Sequence, residues 1–223
     1  MSKLMKSEWR DRISHWVRTL KDDFYQPLGE IQWEAFRTNE QLSLGEAKKE
    51  QFVSVKPGFT WGNTYKYCWM KGHIQLSEEA EGKRIVMNLK PDGEATLFVN
   101  DKAFGTYRAS WVNESHHYIV DNVLSRCAKG DEQFDIMMEV YAGHYYPEAP
   151  TGGCATGPVL PGSYTDKLEE GKRRTLGRCT YGIWNEDAYQ LFMDVDTLGR
   201  LLEVLDKTSL RAAKIAKALE QFT

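Results

Sequence analysis

The sequence predicts a mainly β protein, an antiparallel β-sandwich or jelly roll with an N-terminal helix and two C-terminal helices. Between residues 30 and 142, short segments of alternating apolar residues are separated by turns, which is typical of sandwiches and not of βαβ units. No helix-length apolar periodicity interrupts these segments, and such periodicity occurs only at the two ends of the chain. We therefore expect four regions: a helix at 1–29, the sandwich at 30–142, a Gly/Pro-rich region at 143–183 and helices at 184–223.

The N-terminal helix is predicted from one apolar stripe. Its members recur at intervals of four, four, three and four residues: Met5, Trp9, Ile13, Trp16 and Leu20. The segment from Asp22 to Gly29 contains Pro27 and is expected to end the helix. Because the two tryptophans share their stripe with aliphatic residues, we expect them to dock the helix on the protein body. Binding of a sugar is the less favoured interpretation.

Seven strands are predicted, at 30–36, 51–55, 65–76, 82–89, 94–99, 116–120 and 133–142. In the third, Cys68, Met70, Ile74 and Leu76 share one face and Tyr67 and Trp69 lie on the other, which favours an inner strand. Asn100-Asp101 is a credible two-residue hairpin tip because both residue types tolerate positive φ. The polar segment 38–50 is expected to be a loop.

The segment 143–182 contains four of the seven prolines and many glycines. A segment of this length without regular structure is usually a functional loop or a surface laid on another body. Its aromatic residues provide anchors that a disordered linker would lack.

Two helices are expected to close the sequence. Asn185 or Asp187 can cap the first, whose apolar seam includes Leu191 and Leu202, and Thr208 or Ser209 can cap the second. The apolar face of the second helix runs to Thr223, so the natural polypeptide is expected to continue.

Composition excludes several classes of protein. The 223 residues are 41% hydrophobic and 27% charged, with a net charge of −3, so no nucleic-acid partner is indicated. No apolar run is long enough to span a membrane, and residues 1–12 lack the apolar core of a secretory signal, so a cytoplasmic location is expected. The four cysteines form no C-x-x-C pair, which favours buried free thiols over a zinc site: Cys68, Cys127, Cys154 and Cys179.

Motifs for catalysis are not evident. The sequence contains no phosphate-binding loop, no G-x-S-x-G and no H-E-x-x-H. His116 and His117 would point to opposite faces of a strand, which disfavours a shared metal. Carboxylate pairs exist, for example Asp92 with Glu94 and Asp135 with Glu139, but 32 acidic residues make such pairs common. Asp135 and Glu139 are expected on the solvated face of their strand.

Several blocks, in order, resemble one family. They include Trp61-Gly62, Phe98-Val99-Asn100, Glu139-Val140-Tyr141-Ala142-Gly143-His144, Gly157-Pro158-Val159-Leu160-Pro161-Gly162 and Tyr181-Gly182-Ile183-Trp184-Asn185-Glu186-Asp187-Ala188-Tyr189. Together these blocks resemble the N-terminal region of bacterial α-mannosidases of glycoside hydrolase family 38. The hairpin tip departs from the family pattern, since members usually have Asn-Gly where this chain has Asn100-Asp101.

The resemblance implies a galactose-binding-like jelly roll that precedes a catalytic domain. In that family the catalytic domain holds zinc and an aspartate nucleophile and hydrolyses α-mannosides with retention. The zinc-binding Asn-Ser-His-x-Asp run of the family does not occur in these 223 residues. No catalytic residue, metal ligand or cofactor is therefore assigned to this segment, and zinc is expected in the catalytic domain.

Three hypotheses follow. The favoured one is a non-catalytic domain that stabilises and positions the catalytic domain of the same polypeptide, with His144, Tyr181 and Trp184 in inter-domain contact. On its own such a chain is expected to form homo-oligomers or to expose an apolar patch. The alternative is a carbohydrate-binding module for mannose-containing glycans. Its candidate stacking residues are Trp61, Trp111, Tyr145 and Tyr146. An independent enzyme that uses its own carboxylates is the third hypothesis and the least favoured.

Overall fold

The computed structural model describes residues 7–63, 66–107, 122–143 and 173–222. The chain divides into two compact units. A helical unit comprises Met1–Gln26 with Trp184–Thr223, and a β unit comprises Pro27–Ile183.

Twelve strands are present among the described residues. They are β1 (Tyr25–Glu30), β2 (Gln32–Thr38), β3 (Val53–Val55), β4 (Thr60–Gly62), β5 (Tyr67–Gln75), β6 (Ile85–Asn88), β7 (Glu94–Val99), β8 (Lys102–Tyr107), β9 (Val123–Ser125), β10 (Gln133–Tyr141), β11 (Arg174–Thr175) and β12 (Thr180–Trp184). A one-turn helix, α2 (Leu44–Ala47), and two short 3-10 turns, Lys21–Asp23 and Glu78–Ala80, lie between them.

The strands form a two-sheet sandwich. One sheet has six strands in the order β3-β2-β5-β10-β7-β8, and the other has four in the order β1-β12-β6-β9. A small third sheet pairs β11 with β4. Residues of both large sheets share one apolar core, which includes Met70, Ile136 and Leu97 from the six-stranded sheet and Ile85 and Met87 from the four-stranded sheet. The predicted antiparallel sandwich is thus confirmed.

The central strands alternate as predicted. Cys68, Met70 and Ile74 of β5 belong to the inter-sheet core, whereas Trp69 lies on the opposite face in a separate apolar cluster. Each flank of β5 is paired, by β2 on one side and β10 on the other, so it is an inner strand.

The hairpin between β7 and β8 also agrees with its prediction. Asn100 and Asp101 have φ values of 49° and 65°, as a tight turn of mirror-image type requires. The Asn100 side chain further accepts a hydrogen bond from the backbone N–H of Asp135 at 2.9 Å, which ties the tip to β10.

The helical unit contains α1 (Ser7–Leu20), α3 (Glu186–Val204) and α4 (Leu210–Phe222). Asn185 caps α3 by accepting from the N–H of Ala188 at 3.1 Å, and Ser209 caps α4 by accepting from Ala212 at 3.2 Å. The three helices share a core of their own, in which residues of α3 and α4 meet side chains of α1. Its members include Trp9, Ile13, Val17, Val195, Leu202, Ile215 and Leu219.

The docking prediction for α1 holds for one of its two tryptophans. Trp9 packs on the core of the helical unit, but Trp16 is 49% exposed and touches Phe222 only edge-on, with ring centroids 6.5 Å apart. Val17 takes the place in the core that the predicted stripe gave to Trp16.

Several elements differ from the predictions, among them the strands β4, β9 and β11, which were not predicted. Segment 38–50 is not wholly a loop, because Ser43 and Glu46 form a capping box that begins α2. The end of segment 143–182 is not irregular, since Thr180 begins β12. Strand β1 occupies a stretch predicted only to end a helix. Pro27 is tolerated there because β1 is an edge strand, and a Cβ on Gly29 would lie 2.6 Å from the Tyr181 ring.

The predicted strand at 116–120 lies outside the described residues. Within the part of the chain that is described, no helix is both long enough and apolar enough to cross a bilayer.

Candidate functional site

Trp61 is a core residue, which corrects the prediction that it stacks on a sugar. Its side chain is only 1% exposed, and its indole N–H donates to the carbonyl oxygen of Pro91 at 2.8 Å. Gly93 lies so close that a Cβ there would be 3.0 Å from the indole ring. Trp61 thus packs against the turn between β6 and β7 and has no exposed ring face to which a ligand could bind.

The other predicted stacking residues, Trp111, Tyr145 and Tyr146, lie outside the described residues, as does the predicted contact residue His144.

Tyr181 and Trp184, the remaining predicted inter-domain contacts, are largely covered within this chain. Tyr181 packs over Gly29, and its hydroxyl donates to the carbonyl of Gln75 at 3.3 Å. Trp184 is 3% exposed and packs between Phe24 and Tyr189, with ring centroids 5.7 and 5.2 Å away. An indole that is this well covered cannot provide a contact surface for a further domain, so the prediction for Trp184 is wrong.

The carboxylates of β10 do not form a glycosidase pair. Asp135 and Glu139 share the outer face of the six-stranded sheet, as predicted. They are four residues apart on one strand, so their Cα atoms are separated by about 13 Å. Glycosidase pairs lie roughly 5 to 9.5 Å apart. Asp92 is already engaged, since it accepts from the N–H of Thr175 at 3.0 Å and lies 3.6 Å from Arg174.

The cysteines have different environments. Burial raises the pKa of the Cys68 thiol to about 12 and that of Cys179 to about 11. Cys127 is exposed, which contradicts its predicted burial, and Cys154 lies outside the described residues. Among the described residues, no three His, Cys, Asp or Glu side chains are grouped closely enough to hold a metal ion.

The outer face of the six-stranded sheet offers three different surfaces along its length. In its middle, Trp69 and Met137 are covered by Ala47 of α2 and by Phe52. This cover leaves an open cleft at each end of the sheet.

In the larger cleft, of about 540 Å³, several of the charged side chains in the lining already have partners. His73 and Asp135 are 2.8 Å apart, Lys71 and Glu34 form an ion pair at 2.7 Å, and Lys48 pairs with Asp101. Such exposed ion pairs are typical of a solvated sheet face and contribute little each.

The smaller cleft, of about 380 Å³, is lined by aromatic, hydroxyl and carboxylate groups that come from β5, β10, β7 and β8. Tyr67 and Tyr141 face each other across β5 and β10, and their rings stack with centroids 4.8 Å apart. One position deeper, Glu139 faces Thr96 of β7, which in turn faces Thr106 of β8. We call this the tyrosine cleft.

Glu139 is the most unusual group of the tyrosine cleft. Its Oε1 is buried and accepts no hydrogen bond from any described residue. Burial raises the pKa of this carboxyl, and burial together with the charge of Glu139 raises the pKa of Tyr67. The alternation of β5 and β10 placed these side chains on the outer face, but no local signal distinguished Tyr141 and Glu139 from ordinary surface residues.

The helical unit exposes apolar side chains as well. Val204, at the end of α3, is 81% exposed, and Leu210, at the start of α4, is 72% exposed. Both flank the short turn that joins the two helices, so we call this surface the α3–α4 corner.

Two antiparallel sheets that enclose one core define a β-sandwich of the jelly-roll class. Residues 27–153, more than half of the chain, match the family described as alpha-mannosidase, jelly roll domain. The chain belongs to this family. No curated protein sequence matches it.

Solved structures that are similar to the chain include β-glucuronidase from Ruminococcus gnavus. Its complex with uronic isofagomine is 12% identical over 71% of this chain and 28% of that one, with a TM-score of 0.41. Its apo structure is 12% identical over 72% and 29%, with a TM-score of 0.40. The chain therefore spans less than a third of the length of these structures.

Proposed function

We propose that this chain is the non-catalytic N-terminal β-sandwich domain of an α-mannosidase, where it stabilises and positions the catalytic domain of the same polypeptide. Membership of a family defined as the jelly roll domain of α-mannosidases supports this proposal. The catalytic domain, and not this segment, is proposed to hold the zinc ion and to cleave the mannoside.

The α3–α4 corner is the observation on which the positioning role rests. Val204 and Leu210 both expose most of their side chains and lie on either side of one turn. Single exposed aliphatic residues are common, but two that flank one turn between helices are apolar surface that a neighbouring domain can cover. Covering them would remove apolar area from water at about 25 cal/mol per Å².

A two-polypeptide experiment tests this proposal. The chain and the catalytic domain of the α-mannosidase to which it belongs are produced separately and mixed. We expect them to associate in sedimentation and the catalytic domain to gain thermal stability. Val204→Glu with Leu210→Glu should weaken the association by roughly tenfold or more.

The matched control is Val53→Glu, since Val53 is also an exposed aliphatic residue, at 56%, but lies in the β unit. It should leave association unchanged. A catalytic domain that is equally stable and active with and without the chain would refute the positioning role.

A direct assay tests whether the chain is non-catalytic. The chain alone, with added zinc, should not hydrolyse nitrophenyl α-mannoside. Turnover that disappears on replacement of one carboxylate, such as Glu139→Gln, would show that the chain is itself an enzyme.

A further inference from the structure

We propose that the tyrosine cleft binds a single sugar residue of a glycan, with Tyr67 and Tyr141 as the apolar wall and Glu139 as the acceptor for sugar hydroxyl groups. This site is separate from the α3–α4 corner and adds a ligand to a domain whose proposed role is structural. Trp61, the one predicted stacking residue among the described residues, does not line it.

The aromatic pair provides the apolar wall. Tyr67 and Tyr141 are both half-buried, and their planes are 30° apart, so the pair is a preformed aromatic surface on two inner strands. A pyranose ring has an apolar face of C–H groups that packs on such surfaces. Because β5 and β10 are paired along their whole length, the wall needs no rearrangement to bind.

Glu139 provides the polar side. A buried carboxylate oxygen without a donor is unfavourable, and the raised pKa of Glu139 reflects the same burial. Because Oε1 is buried, we infer that the Glu139 side chain rotates slightly when a sugar enters the cleft, so that a sugar hydroxyl donates to Oε1 and relieves this deficit. In the larger cleft the carboxylates of Asp135 and Glu34 already have partners, His73 and Lys71.

The remaining lining can both donate to and accept from a polyol, and Glu94 adds a second carboxylate that only accepts. Thr96, Thr106 and Gln41 contribute hydroxyl and amide groups, which can both donate and accept. Hydroxyl groups of a sugar use both capacities, whereas an ammonium group only donates. The volume of about 380 Å³ is at the lower end of ligand pockets, which suits one sugar residue.

The test is an NMR titration of the whole chain with mannose, mannobiose and galactose, followed at the tyrosine ring protons. We expect saturable shifts for at least one sugar, with a dissociation constant on the order of 1 mM. Glu139→Gln is nearly isosteric and removes the charge, and it should weaken binding by roughly tenfold. Tyr141→Ala should weaken binding by at least as much, and thermal unfolding shows whether each variant is folded.

Asp135→Asn is the matched control, because Asp135 lies on the same face of the same strand but in the larger cleft. It should leave the affinity unchanged. The proposal is overturned if no sugar gives a saturable shift at about 100 mM, a hundredfold above the expected dissociation constant. It is also overturned if Asp135→Asn weakens binding as much as Glu139→Gln. Tetramethylammonium is the probe for an ammonium ligand, and its binding in the cleft in place of the sugars would likewise overturn the proposal. Failure of sugar binding leaves the association experiment at the α3–α4 corner untouched, so the two proposals are tested separately.

Discussion

Replacement of Trp61 distinguishes a core role from a sugar-binding role. The side chain is 99% buried, as its exposed fraction of 1% shows. A buried tryptophan removes about 150–250 Å² from water, which at about 25 cal/mol per Å² corresponds to roughly 4–6 kcal/mol as an upper bound. We therefore expect Trp61→Ala to lower the free energy of unfolding by about 3–5 kcal/mol.

Trp61→Phe is the safer variant, because the whole domain has only about 5–15 kcal/mol of stability to lose. Phenylalanine keeps most of the buried area but leaves the carbonyl of Pro91 without the indole donor that it has at 2.8 Å. An orphaned buried acceptor costs about 1–3 kcal/mol, so we expect a loss in this range.

The assay is urea unfolding followed by far-UV circular dichroism, with Trp16→Ala as the control. Trp16 is 49% exposed, so its replacement should cost no more than about 1 kcal/mol. If Trp61→Ala costs less than about 1 kcal/mol but reduces binding of mannose or mannobiose, the buried position of Trp61 is refuted and the stacking role is restored.

Three further predictions concern a glycine, a carboxyl group and the cysteines. Gly72→Ala should lower the free energy of unfolding in urea by about 1–3 kcal/mol, because the new Cβ would lie 2.7 Å from Ile31. Gly105→Ala is the control and should not destabilise the chain, because the space at its position is open. Burial raises the pKa of Glu139 in the folded state above its value in the unfolded state. Protonation of this carboxyl therefore stabilises the fold most at low pH, and that contribution is lost as the pH rises through the folded-state pKa. Glu139→Gln should therefore gain stability relative to the parent at pH 8 but not below about pH 4, and an equal difference at both values would contradict this assignment. In a Cys154→Ser variant at pH 8, a thiol reagent should modify the exposed Cys127 in the native state. It should modify Cys68 and Cys179 only after unfolding, because both thiols are buried and burial raises their pKa values to about 12 and about 11. Fast modification of Cys68 or Cys179 in the native state would contradict their burial.

Features that depend on neighbouring residues were predictable from the sequence. The Asn100-Asp101 tip follows from the backbone preferences of its two residues, and Asn185 was one of two caps predicted for α3. The alternation in β10 placed Asp135 and Glu139 on the outer face because a strand has a period of two. In each case the determining interaction lies within a few residues.

Features that depend on distant residues were not predictable in this way. Trp61 lies in a Pro/Gly-rich stretch that resembles an exposed loop, and it is buried by contacts with residues distant in sequence, such as Pro91. The Tyr67–Tyr141 pair exists because of the register between β5 and β10, which local patterning does not specify. Strand β1 was missed because Pro27 and Gly29 disfavour strands, while its edge position and the Tyr181 ring make both residues suitable.

The helical unit combines segments that are far apart in the sequence, which has a consequence for synthesis on the ribosome. The apolar stripe of α1 is covered by residues of α3 and α4, among them Val195 and Ile215, so its partners are translated roughly 200 residues after it. At about 5–20 residues per second, this interval lasts roughly 10–40 s. During this time, the side chains of Trp9, Ile13 and Val17 have none of the native partners that come from the two later helices. The stripe therefore stays without its native partners from α3 and α4 throughout this interval, and a factor that shields apolar segments during translation could bind it then.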